Sequence, residues 1–85
     1  MNNYRVDIIK KDGRKTIYEA TFRYKTISAI EFDLVDGFFN NMIKGRLIEI
    51  WHDDKDALLG KFKCSGFKWE IKLRNFINDM AIKNL

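Results

Sequence analysis

The chain has 85 residues, 46% of them hydrophobic, and 16 Lys and Arg outweigh 12 Asp and Glu for a formal charge of +4. A chain this short makes one domain, residues 1–85, and buries only somewhat over ~60% of its extended surface, which excludes a wide stability margin. Seven Phe, three Tyr and two Trp supply a core without metal or disulfide and exclude a disordered chain.

The single Cys64 cannot form an intrachain bridge, and MNNYRVDIIKK holds no apolar run of signal-peptide length. No stretch approaches the ~18–20 apolar residues of a membrane-spanning helix. A soluble protein of the reducing cytoplasm is expected, with no membrane partner.

Tyr4 to Lys10 and Lys15 to Tyr24 read as two strands. A two-residue Asp12-Gly13 turn sets Val6 opposite Glu19. A three-residue loop ending in a left-handed Gly13 instead pairs Val6 with Tyr18, Ile8 with Thr16 and Arg5 with Glu19, which groups the apolar residues. The second register is the expectation.

From Thr26 to Gly45, Ile27, Ile30, Leu34, Phe38 and Met42 recur at helical steps and form one apolar stripe. Ser28 with Glu31 fits a capping box, and Lys44-Gly45 suits the far end. Ile30, Phe32 and Leu34 also alternate as in a strand, and Gly37 costs roughly 1 kcal/mol inside a helix, so Asp36-Gly37 is the weak point.

Arg46 to His52 reads as a third strand, His52 to Asp56 as a turn, and Ala57 to Cys64 as a fourth strand. Ser65-Gly66 suits a hairpin turn that pairs Cys64 with Phe67, Phe62 with Trp69, Gly60 with Ile71 and Leu58 with Leu73. The alternation from Phe67 to Leu73 favours a fifth strand and then a short helix over Asn75 to Leu85. The alternative starts that helix near Trp69, since Trp69, Leu73, Phe76, Ile77 and Met80 fit its period. The expected fold is α+β: hairpin, helix, three-strand antiparallel meander and C-terminal helix, with one sheet face open.

Charge is unevenly divided. Residues 1–25 carry seven basic and three acidic side chains, and residues 57–74 carry five and one, a surplus of four in each. Strand alternation places Lys61, Lys63, Lys68, Lys72 and Arg23 on the open face, with Trp51 beside them as an apolar anchor. Such a face suits an anionic partner, either nucleic acid or an acidic protein surface. The interleaving KFKCSGFKW hints at nucleic acid, yet alternation turns Phe62, Phe67 and Trp69 away from the lysines, leaving phosphate contact without base stacking. An unpaired edge strand would also accept a partner strand.

Catalytic chemistry has little to work with. Cys64 on an inward strand position reads as a small hydrophobe, and His52 as a turn-flanking residue. Asp53, Asp54 and Asp56 lack the glycine and distal Glu of a calcium loop, and no phosphate-binding glycine loop occurs. No cofactor is expected.

In its size, its abundance of Lys, Ile and Asn and its lack of Pro, the chain is similar to small accessory proteins of bacteriophages with AT-rich genomes. That resemblance implies a non-catalytic binder that blocks or modifies a host protein or ribonucleoprotein, including defence systems and toxins. Direct, sequence-blind RNA or DNA binding is the alternative.

Overall fold

The computed structural model describes residues 3–37 and 39–83. Four strands, β1 (Tyr4–Asp12), β2 (Lys15–Tyr24), β3 (Leu47–His52) and β4 (Ala57–Lys63), make one antiparallel sheet in the order β2-β1-β3-β4. Helical segments pack on one face, so the α+β class holds with four strands rather than five.

The hairpin turns at Gly13-Arg14, where Asp12 pairs with Lys15. Gly13 has φ +61°, the left-handed backbone that a two-residue hairpin loop with glycine first requires. The expected three-residue loop and its register are thereby corrected: Val6 lies opposite Phe22 and Ile8 opposite Ala20. One extra residue, Glu19, then bulges from β2, and Ile9 pairs with Tyr18. Ile8 and Ile9, consecutive on β1, are both buried and lie on opposite faces of the sheet, and the bulge sets Tyr18 rather than Glu19 beside Ile9.

β1 also pairs with β3, so the hairpin and the later strands form one sheet. Val6, Ile50 and Gly60 make one row across the inner face, and Ile8, Ile48 and Phe62 the next. Val6, Ile8, Ile48 and Ile50 are the floor of the core, each at most 1% exposed.

The expected single helix from Thr26 to Gly45 is divided. Thr26, not Ser28, is its cap: the Thr26 hydroxyl accepts the Ala29 N–H at 3.1 Å. α1 (Ile27–Glu31) continues as a π-helical turn over Phe32–Asp36, and α2 (Asn40–Ile43) follows after Gly37. A Cβ at Gly37 would lie 2.9 Å from the Phe32 carbonyl oxygen, so the chain leaves the helix through a gap that only glycine fits. Ile27, Ile30 and Leu34 are buried as their spacing predicts, whereas Met42 is exposed and Ile43 enters the core instead. Phe38 lies outside the described residues.

The expected fifth strand does not form. Cys64 ends the pairing, Gly66 and Lys68 both take positive φ, and α3 (Trp69–Lys83) runs through the segment read as strand. The physical reason is length: alternation favours a strand over Phe67 to Leu73, but Trp69, Leu73, Ile77 and Met80 carry a helical stripe across fifteen residues and are all buried. Phe67 and Ile71, inward on the strand reading, are exposed. Asn84 and Leu85, in the last predicted helix, lie outside the described residues. α3 is fastened to α1 and its π turn by Arg74, which donates to Glu31 at 3.1 Å and Asp36 at 2.6 Å.

Candidate binding face

The register of the four strands sets the open face out in rows. Arg23, Arg5, Trp51 and Leu58 form the row nearest the chain's Asp53–Lys55 turn. Thr21, Asp7, Glu49 and Lys61 form the next, and Tyr18, Ile9, Leu47 and Lys63 the third, towards the hairpin tip.

The first row is neutralised. Arg5 donates to Asp53 at 2.8 Å and lies 3.5 Å from Asp7 and 3.6 Å from Asp56, while Arg23 donates to the second Asp53 oxygen at 3.1 Å. The Arg5 hydrogen bond, reinforced by Arg23, holds the Asp53 carboxyl below its ordinary range. Arg5 also lies over the Trp51 ring, 4.8 Å from its centroid. Trp51 is therefore half-buried beneath a cation rather than standing free as an anchor.

The second row holds two buried acids side by side. Asp7 accepts from the Thr21 hydroxyl at 2.7 Å and Glu49 faces Lys61 at 3.5 Å. Arg23 and Lys61, two of the expected binding cations, thus have acidic partners.

The third row opens into a groove of about 350 Å³ at the hairpin-tip end. Ile9 and Leu47 are among its lining residues, with Lys10, Lys11, Arg46 and Lys63 around them. Arg46 is engaged by Glu19. Lys11 donates to the Thr16 hydroxyl at 2.7 Å, a neutral partner that leaves its charge uncompensated. Among the described residues, no acid pairs with Lys10, Lys11 or Lys63. A second groove, of about 160 Å³, adjoins it and is lined by Tyr18, Lys11, Lys61 and Glu49. Tyr18 is 59% exposed.

Of the expected cations, then, Arg23, Lys61 and Lys63 share the open face, and only Lys63 is uncompensated. Lys68 and Lys72 are displaced from it, because the segment that bears them is the loop before α3 and α3 itself. Lys68 instead lies 5.2 Å from the centroid of the Phe67 ring. Sequence reasoning missed Ile9, Leu47, Lys10 and Lys11, which line one groove, and Tyr18, which lines the groove beside it. The signal was Lys10-Lys11 just ahead of a turn, beside an Ile pair too long for simple alternation.

Cys64 is wholly buried, and burial pushes its thiol up to about 12, far from a nucleophile's range. His52 lies against Asp54 through Nδ1 and stacks tilted on Tyr4 at 5.2 Å between ring centroids. Among the described residues, no three His, Cys, Asp or Glu side chains gather as metal ligands do, and no helix is long and apolar enough to cross a membrane. No family model, curated protein or solved structure matches this chain.

Proposed function

We propose that the protein is a small non-catalytic binding protein that blocks or modulates a protein or nucleoprotein target, using the hairpin-tip end of its open sheet face. The observation that carries this reading is the groove lined by Lys10, Lys11 and Lys63 together with Ile9 and Leu47, the three lysines having no acidic partner among the described residues. Ammonium groups around an apolar floor attract a carboxylate or phosphate and then hold the apolar part of what carries it. The compositional likeness to accessory phage proteins makes a host defence component or toxin the target class to search first.

Capture from a host lysate, with and without nuclease, tests the reading. A partner recovered by the native chain and lost with Lys10→Glu/Lys63→Glu supports it; equal recovery by both, or none by either, counts against it.

A second reading, direct binding of single-stranded nucleic acid, has its own observation. Tyr18 is an exposed ring in the groove that Lys11 also lines, so a base-stacking surface and a cation share one place. Nuclease-sensitive recovery, together with affinity falling with salt at a slope of about 0.7 per neutralised phosphate, favours this reading over the first.

A further inference from the structure

β2 is an outermost strand of the sheet, ten residues long, and most of it is exposed. Among the described residues its outward N–H and C=O groups have no strand beside them, and Ile17 and Tyr18 remain 41% and 59% exposed along it. β4, the opposite edge, is shorter at seven residues and lies under α3, which packs Phe76 against Gly60. We infer that β2 pairs antiparallel with β2 of a second copy, joining two sheets of four strands into one of eight.

The bulge decides how such a pairing fits. A regular strand keeps its faces aligned with a copy of itself only when odd residues meet odd and even meet even. Glu19 is an extra residue, so alternation is reversed beyond it: Thr16 and Tyr18 lie on the open face, and so do Thr21 and Arg23. Like faces then meet only when odd residues oppose even ones across the two-fold axis. That register sets Ile17 against Ala20 or Phe22 of the second copy and Tyr18 or Thr16 against Thr21. The exposed Ile17 gains an apolar neighbour, and a Thr or Tyr faces a Thr, pairs that suit adjacent strands. A bulge ordinarily guards an edge. Here it selects the register.

Charge agrees with the antiparallel sense. The hairpin tip carries Arg14, Lys15, Lys10 and Lys11 against Asp12, whereas at the other end of β2 Arg23 is bound to Asp53 and Lys25 follows it. An antiparallel pair places each basic tip beside the less basic end of the other copy. The two tips then lie about a strand length apart, ten residues at ~3.4 Å each, several times the ~8 Å over which charge acts at physiological salt. A parallel pair would set tip against tip.

Sedimentation velocity over a concentration series tests the inference, with amide hydrogen exchange alongside. The mass should rise from 10.1 kDa towards twice that value, while outward β2 amides slow with concentration and β4 amides do not. Ile17→Lys, at a side chain exposed enough to leave the monomer's circular dichroism unchanged, should hold the mass at 10.1 kDa. A native chain that is monomeric throughout, or a dimer whose β2 amides exchange freely, overturns it. The exchange measurement decides even if the variant fails to fold.

Discussion

Gly60 of β4 lies so close beneath Phe76 of α3 that a Cβ on it would stand 2.6 Å from the ring's Cζ and 3.0 Å from the Met80 methyl. Helix and sheet touch there without room for a methyl group. Gly60→Ala should therefore overpack the layer and cost about 1–3 kcal/mol. The obstructing atoms are the ends of side chains, so Gly60→Ala/Phe76→Leu should recover part of the loss. Chemical denaturation of the three variants checks both statements; a double variant no more stable than Gly60→Ala would show that the ring is not the obstacle.

Gly37 presents the harder case, since the atoms a Cβ would meet are the backbone oxygens of Phe32 and Asp33, at 2.9 and 3.1 Å. Backbone held by helical hydrogen bonds cannot rotate away. Gly37→Ala is expected to destabilise more than Gly60→Ala, with hydrogen exchange accelerating first across residues 32–43. Equal cost at the two glycines would contradict this ordering.

Asp53 joins β1, β2 and the turn after β3 through Arg5 and Arg23. Its folded carboxyl is held below the ordinary value of 3.8, chiefly by the Arg5 hydrogen bond. The stabilisation is then fully present above 3.8 and is lost as pH falls through the lower folded value. Asp53→Asn should be less stable than the native chain near neutral pH, and the gap should close in acid. Urea midpoints across the acid range measure it, and a gap independent of pH would mean that Asp53 acts by packing alone.

Cys64 gives the opposite limb. Its thiol ionises near 9.0 in the unfolded chain, but burial raises the folded value to about 12. The folded state keeps the proton longer, so stability is intact below pH 9.0 and declines as pH climbs towards about 12. Tyr24, raised by burial and by Asp33, adds to the decline at higher pH. Thermal melts should therefore show a shallower alkaline fall for Cys64→Ala than for the native chain. An identical fall would place the alkaline sensitivity elsewhere.

Much of this fold is legible in the residues because two periods seldom coincide over a long stretch. Val6, Ile8, Ile48 and Ile50 alternate cleanly and occupy the inner face, and the segment read as one helix is helical over residues 27–36 and again over Asn40–Ile43, parting after the Asp36-Gly37 weak point. Phe67 to Leu73 misleads because seven residues satisfy both periods, and only the continuation through Ile77 and Met80 separates them. The hairpin register misleads for another reason. Grouping apolar pairs ignored the bulge at Glu19, which brings Tyr18 onto the open face beside Ile9. The ion pairs of Arg23 with Asp53 and of Lys61 with Glu49 depend on neighbours assembled by the sheet, so a charge count along the chain could not subtract them.

Lys63 and Lys72 look equivalent along the chain, since strand alternation from Ala57 to Leu73 puts both on one cationic face. The fold separates them: Lys63 lines the groove beside Leu47, while Lys72 projects from α3. If the groove binds an anionic partner, Lys63→Glu should weaken single-stranded DNA binding and lower the salt slope by about 0.7 for each phosphate that is no longer neutralised. Lys72→Glu changes net charge by the same amount and should leave the slope unchanged. Fluorescence anisotropy over a salt series distinguishes them. Equal weakening by both would mean that the partner responds to overall charge rather than to the groove, because at a Debye length of ~8 Å a local site and a diffuse field differ in which lysine they sense.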